Sequence, residues 1–230
     1  MGHLEEIAQR RRVGLSYGLA LIFDLDGVVV DSMPIHTLAW QRYLAELGIA
    51  GNQVERRMHG RRNDEIVRDF LGAGVHPQAV FEHGAAKERL FREMIGPQLS
   101  ARMVPGVVDF LARSRPAPLA LATNAEPANV DFVLNGTGIR SFFSVIVDGT
   151  QVAHAKPAPD VYLRAAELMT VDPANCIVFE DSPVGVAAAR AAGMRVVGVL
   201  THEPLEQVDY SLRDFHDSGL DAWLAEQRVY

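Results

Sequence analysis

Five short apolar runs punctuate the chain: Leu19–Phe23, Leu119–Ala122, Val145–Val147, Ile177–Phe179 and Val196–Val199. None alternates with polar residues. A strand that is apolar at successive positions has both faces buried, which points to a parallel sheet covered on two sides. Helical spacing follows several of these runs. Residues 106–113 carry Val107, Val108, Phe110 and Leu111, and residues 159–169 carry Val161, Tyr162, Ala165, Ala166, Leu168 and Met169. The Ala-rich stretch 183–192 ends at Gly193, a natural helix stop. Strands alternating with helices predict an α/β fold, a doubly wound, Rossmann-like parallel sheet with helices on both faces.

Residues 33–100 break that alternation, because no strand pattern occurs in them. Ile35, Leu38, Ala39, Tyr43, Leu44 and Leu47 fall on one helical face, with Pro34 suited to the helix start and Gly48 to its end. Two more helical patterns follow, one with Ile66, Val67, Phe70 and Leu71, the other with Val80, Phe81, Leu90, Phe91, Met94 and Ile95. The division expected is a polar arm over residues 1–16, an α/β core over 17–32 and 101–230, and an all-helical insertion over 33–100 placed after the first strand.

Composition narrows the function classes. Lys and Arg total 22 against 29 Asp and Glu, a net charge of −7 over 230 residues. Such a chain has no overall field for duplex DNA or an anionic membrane, so nucleic acid and membrane are excluded as expected partners. No uninterrupted run approaches the roughly 18 apolar residues of a spanning helix. Arg10-Arg11-Arg12 does not open a secretion signal, since Leu19–Phe23 is short, Asp24 and Asp26 follow it, and Glu5 and Glu6 sit in the region that would be basic. The single cysteine, Cys176, lies in an apolar run and reads as a buried hydrophobe. A monomer in the reducing cytoplasm is the expectation.

The polar residues at the strand ends carry the chemistry. Asp24 and Asp26 stand two apart where the first strand runs out, so both leave the sheet on one side at its carboxyl edge, the edge at which open α/β sheets bind ligands. The pair suits a divalent metal, and hard oxygen ligands suit Mg²⁺. It also suits a solvated turn before Gly27. Thr123-Asn124 ends the second run, as a phosphate cradle or a helix cap. Lys156, beside Pro157 and Pro159, follows the third as a fixed cation or a surface lysine. Glu180-Asp181 ends the fourth, as a metal site or as acids at a helix start. Four successive strand ends that bring acids, a hydroxyl and a cation to one edge describe a phosphoryl-transfer site.

As an ordered set, Asp24-Leu25-Asp26-Gly27-Val28, Thr123-Asn124, Lys156-Pro157-Ala158-Pro159-Asp160 and Glu180-Asp181-Ser182 resemble the four motifs of the haloacid dehalogenase superfamily of phosphohydrolases. The helical insertion resembles the cap of the subfamily that includes phosphoglycolate phosphatase and β-phosphoglucomutase, and Asp31-Ser32-Met33-Pro34-Ile35-His36, with Trp40 behind it, is similar to the mutase-like branch. The resemblance implies Asp24 as a nucleophile that forms an aspartyl-phosphate. It implies Asp26 as general acid then base, its backbone carbonyl also on Mg²⁺. Thr123 and the Asn124 backbone would hold phosphoryl oxygens, and Lys156 would neutralise Asp24 and the phosphate. Asp181 would bind Mg²⁺, with Glu180 supporting it directly or through water. Dehalogenases lack an acid at the place of Asp26, so its presence favours C–O–P cleavage. To expel an alkoxide Asp26 must be protonated, so its pKa is expected to be raised.

The same resemblance assigns substrate recognition to the cap. His36 is expected beside the acid/base aspartate. The loop His59-Gly60-Arg61-Arg62-Asn63 is expected to enter the site and bind the leaving group. The mutase branch has a lysine before that glycine and an arginine three residues after it; here His59 and Asn63 stand there. The resemblance thus implies a Mg²⁺-dependent phosphatase of a small phosphorylated metabolite such as a sugar phosphate. A β-phosphoglucomutase-type isomerase is the alternative, and a non-catalytic binding module an alternative of another class. Linkers near Asp31–Met33 and Arg102–Pro105 are expected to let the cap open and close.

Overall fold

The computed structural model describes residues 19–58, 61–202 and 204–227. The expected arm lies outside them, as do His59 and Gly60.

Among the described residues six strands form one parallel sheet: β1 (Ala20–Phe23), β2 (Leu119–Ala122), β3 (Val145–Val147), β4 (Cys176–Glu180), β5 (Arg195–Val199) and β6 (Tyr210–Leu212), in the order β3-β2-β1-β4-β5-β6. The chain moves outward from β1 to β3, then returns to the other side of β1 for β4. The order therefore reverses beside β1, and the crevice at such a reversal is the usual ligand site of this sheet type. Phe23 lies level with Leu121 of β2 and Phe179 of β4. One step further along each strand, Asp24, Ala122 and Glu180 come to the same rim.

Both sheet faces are covered, as unbroken apolar runs require. On one face Leu21, Phe23, Leu121, Ile177 and Phe179 pack with α5 (Val107–Arg113), α6 (Pro127–Gly136) and α9 (Leu220–Glu226). The Phe23 and Phe179 rings stack at 4.6 Å, with Phe110 and Phe215 around them. On the other face the small residues Ala20, Ala120, Ala122 and Cys176 lie under α7 (Asp160–Met169) and α8 (Pro183–Ala191). Cys176 is thus a buried, free cysteine.

The insertion after β1 is an all-helical cap: α1 (Met33–Glu46), α2 (Val54–Met58), α3 (Asn63–Leu71) and α4 (Pro77–Ile95). It has a small core of its own, with Trp40, Leu44, Val54, Met58, Ile66, Val67 and Val80. Its two linkers run side by side: the Asp31 N–H donates to the Arg102 carbonyl at 2.7 Å, and Val30 bridges Met103. The expected apolar faces are rotated. The buried side of α1 holds Ile35, His36, Ala39, Trp40 and Leu44, leaving Leu38 and Leu47 exposed. Phe81 of α4 is 70% exposed, because the buried stripe of that helix runs through Val80, Gly84, Lys87, Phe91 and Ile95. In both helices polar side chains, His36 and Lys87, take places on the buried stripe.

Candidate active site

Asp24 follows β1, its N–H fixed by the Phe179 carbonyl at 3.0 Å. Lys156, buried in the loop between β3 and α7, reaches back to the rim. Its Nζ donates to Asp24 Oδ1 at 2.8 Å and to Glu180 Oε1 at 2.6 Å. Glu180 itself is fully occupied. Oε1 also accepts from the Tyr162 hydroxyl, and Oε2 accepts from the N–H groups of Asp181 and Ser182 and from the Ser182 hydroxyl. Those donors use up the roughly four lone-pair sites of a carboxylate. Glu180, a candidate metal ligand by sequence, has both oxygens engaged by the protein, and through them it aims Lys156 and orients the Asp181 backbone.

The rim suits a divalent cation. Asp24, Glu180 and Asp181 each present a carboxylate oxygen within 4.8 Å of the others, and all three are buried. Burial pushes the Asp24 carboxyl up to about 8, with Glu180, Asp26 and Asp181 adding to the rise against the pull of Lys156. One lysine does not balance this many acids, and a hard divalent cation is the kind of group this donor set would hold. Space is reserved for the acid as well: at Gly27, where φ is +75°, a Cβ would lie 1.7 Å from Asp181 Oδ2.

Thr123, 1% exposed, and Asn124 follow β2 and line the same cleft. The Thr123 hydroxyl accepts from the Ala125 N–H at 3.1 Å, and Asn124 Oδ1 accepts from the Lys156 N–H at 3.3 Å.

Asp26 is held from the cap side. The Ser32 hydroxyl donates to its Oδ1, and His36 Nε2 approaches the same oxygen at 3.5 Å. Burial alone would raise the Asp26 carboxyl; the hydrogen bond and charge of His36 and the Ser32 hydroxyl outweigh it and hold the carboxyl below the ordinary aspartate value. The expected raised pKa is therefore not a property of this state of the cleft. His36 stacks on Phe91, ring centroids 3.6 Å apart, and its Nδ1 lies 3.0 Å from Lys87 Nζ.

Lys87 Nζ also donates to Glu88 Oε1 at 2.6 Å, and Glu88 crosses from cap to core by accepting from the Asn129 amide at 2.6 Å. Arg92 makes the same crossing to Glu126 and Asn129. The enclosed cleft measures about 90 Å³, well under the roughly 300–1,000 Å³ of typical ligand pockets. The cap is drawn down on the core.

The sequence model of the family described as haloacid dehalogenase-like hydrolase matches residues 19–193. The chain belongs to that family. This haloacid dehalogenase-like hydrolase is 34% identical to Protein CbbY of Rhodobacter capsulatus over 215 residues, covering 88% of this chain and 94% of the relative. It is 34% identical to the fructose-1-phosphate phosphatase YqaB of Escherichia coli strain K12 over 183 residues, 78% of this chain and 95% of the relative. Among solved structures, the β-phosphoglucomutase of Clostridium difficile superposes with a TM-score of 0.80 at 26% identity, covering 90% of this chain and 96% of that one.

In this hydrolase the cleft brings together Asp24, Asp26, Thr123, Asn124, Lys156 and Asp181 with His36, Arg61 and Asn63. The cap-loop residues His59 and Gly60 lie outside the described residues. Arg61 lines the cleft but points its guanidinium at Glu65 and Asp69. Arg62 turns across to the core and donates to the Val152 carbonyl at 3.3 Å. The Asn63 amide donates to Glu88 at 2.7 Å. Sequence reasoning missed Lys87, Glu88, Glu126 and Asn129, which all line the cleft. A signal existed for the first: Lys87 occupies the apolar stripe Val80, Gly84, Phe91, where a surface lysine has no place. Asn129 and Glu126 had no such signal, because α6 itself was not read from the sequence.

Proposed function

We propose that this chain is a phosphoric monoester hydrolase that cleaves a small phosphorylated metabolite, a sugar phosphate, with Mg²⁺ as cofactor and an aspartyl-phosphate on Asp24 as intermediate. One observation carries the reading. Lys156 ties Asp24 to Glu180 at 2.8 and 2.6 Å, while Asp26, gripped by Ser32 and His36, opens into the same cleft. A buried carboxylate nucleophile with a cation on one side and a second carboxylate on the other is the minimum kit for two-step phosphoryl transfer.

In the first step an Asp24 oxygen bonds to phosphorus, the ester P–O bond breaks, and Asp26 gives its proton to the departing alkoxide. In the second, Asp26 takes a proton from water as that water attacks the aspartyl-phosphate, releasing phosphate and restoring Asp24. The low Asp26 carboxyl fits this order: a phosphate dianion placed beside it raises its proton affinity, so it is charged when empty and protonated with substrate bound. Lys156, the Thr123 hydroxyl and the Asn124 backbone stabilise the equatorial oxygens. Asp24, Asp181 and the Asp26 carbonyl are the residues that would hold Mg²⁺, which when bound neutralises charge on the transferring phosphoryl group. Glu180 positions Lys156. Core residues 17–32 and 101–230 supply the chemistry, and residues 33–100 close over the leaving group. The buried single cysteine fits a reducing, cytoplasmic setting.

The test is phosphate release from a panel of sugar phosphates with Mg²⁺. Asp24→Asn should abolish it and a chelator should suppress it reversibly; unchanged activity in either case discards the mechanism. A hexose 1-phosphate supplied with a catalytic bisphosphate separates the mutase alternative: free phosphate supports hydrolysis, and the 6-phosphate supports isomerisation.

A further inference from the structure

Among the described residues lining the cleft, every lysine and arginine is committed to a carboxylate. Lys156 is on Asp24 and Glu180. Lys87 is on Glu88 at 2.6 Å. Arg61 is on Glu65 at 3.3 Å and Asp69 at 3.4 Å, and its Nη2 donates to the Glu65 carbonyl. Behind the lining, Arg92 is on Glu126 at 3.0 Å.

Glu88 is the acid that Asp26 feels from the cap, and Glu126 in turn feels Glu88. Asp26, Glu88 and Glu126 all line the cleft. Glu126 opens the loop into α6 and is half-buried there, and burial followed by the charge of Glu88 pushes its carboxyl up. With these acids stand the amides Asn63 and Asn129. Such a surface accepts hydrogen bonds from hydroxyls. A second phosphate on the leaving group would meet carboxylates with no uncommitted lysine or arginine among the described lining residues to offset them, and like charges at close range in a half-buried site are costly.

We propose that Glu126, backed by Glu88, is a specificity-determining residue that selects monophosphate esters of neutral, hydroxyl-rich leaving groups and rejects a second phosphate. This rests on the phosphatase reading and narrows it.

The experiment measures kcat/KM with Mg²⁺ for p-nitrophenyl phosphate and for paired esters: fructose 1-phosphate with fructose 1,6-bisphosphate, and glucose 1-phosphate with glucose 1,6-bisphosphate. Wild type is expected to prefer the monophosphate of at least one pair by about tenfold or more, mainly through KM. Glu126→Gln should narrow that ratio about fivefold and Glu126→Lys should narrow it further. A Glu126 that only packs would lower all substrates together and leave the ratio unmoved, which overturns the proposal. So does bisphosphate turnover equal to or above that of the monophosphate, or turnover of p-nitrophenyl phosphate with no turnover of either sugar pair. No turnover of p-nitrophenyl phosphate by wild type removes the phosphatase reading itself, and this proposal with it.

Discussion

Glu180 accepts five hydrogen bonds and lies wholly inside the protein. The α8 backbone passes so near that a Cβ at Gly185 would sit 1.7 Å from Glu180 Oε1. Gly185→Ala should displace this carboxylate and with it Lys156. A misplacement of about 1 Å at reacting groups costs on the order of 10²-fold in rate. We expect a loss of that order in kcat with the circular dichroism spectrum retained; a variant with full kcat would show that Glu180 does not set the position of Lys156. Glu88 makes a second prediction. Burial alone would raise its carboxyl, but Lys87, then His36, outweigh burial and hold it at about 2 against an ordinary 4.5. The folded-state pKa is depressed, so the stabilisation is complete above about pH 4.5 and is lost as pH falls toward about 2. Across that window the unfolded chain binds one more proton than the folded chain at this site, worth about 1.4 kcal/mol per pH unit. Glu88→Gln should remove about that slope from urea-melt stability between pH 4.5 and pH 3. An unaltered slope would mean Glu88 is not ionised in the fold.

At the level of elements, β1 and β4 form the floor of the site, and the stacked Phe23–Phe179 pair sits one residue below the acidic rim. Truncating a buried Phe to Ala costs roughly 3–5 kcal/mol. Phe179→Ala should lower the melting temperature accordingly and also reduce turnover, because the void opens directly beneath Asp24 and Glu180; a stability loss under about 1 kcal/mol would contradict the packing described. The strands were legible from sequence, since both-face burial leaves an unbroken apolar run. The elements that were not legible are instructive. β6, Tyr210-Ser211-Leu212, has one buried residue of three and no unbroken apolar run, unlike β3 of the same length. α2 has five residues. α6 begins at Pro127 behind the Thr123-Asn124 turn, and its buried face includes Asn129, a polar residue that blurs the apolar stripe. That blurring residue is the one that reaches Glu88.

For the whole molecule, opening of the cap from the core is the motion that substrate entry requires, since the cleft as it stands holds about 90 Å³. The paired linkers are pinned by Arg102 Nη1 to Asp31 Oδ2 at 3.0 Å. Cutting that tie with Arg102→Ala should change kcat and KM together, by several-fold each, with little change in melting temperature, as expected where lid movement sets turnover. Kinetics identical to wild type would remove the linkers from the hinge.

The chain by itself determined the parallel sheet, the helical insertion after β1, and the strand ends that carry Asp24, Asp26, Thr123, Lys156 and Asp181. Each of these depends on near neighbours, because burial on both faces, turn chemistry and two-residue alternation are local rules. Only the tertiary structure decided what closes the site from above. His36 meets Lys87 across 51 positions and Glu88 meets Asn129 across 41. The first pair follows from how α1 packs on α4 within the cap and the second from the angle at which the cap packs on the core, and no period along the chain encodes either.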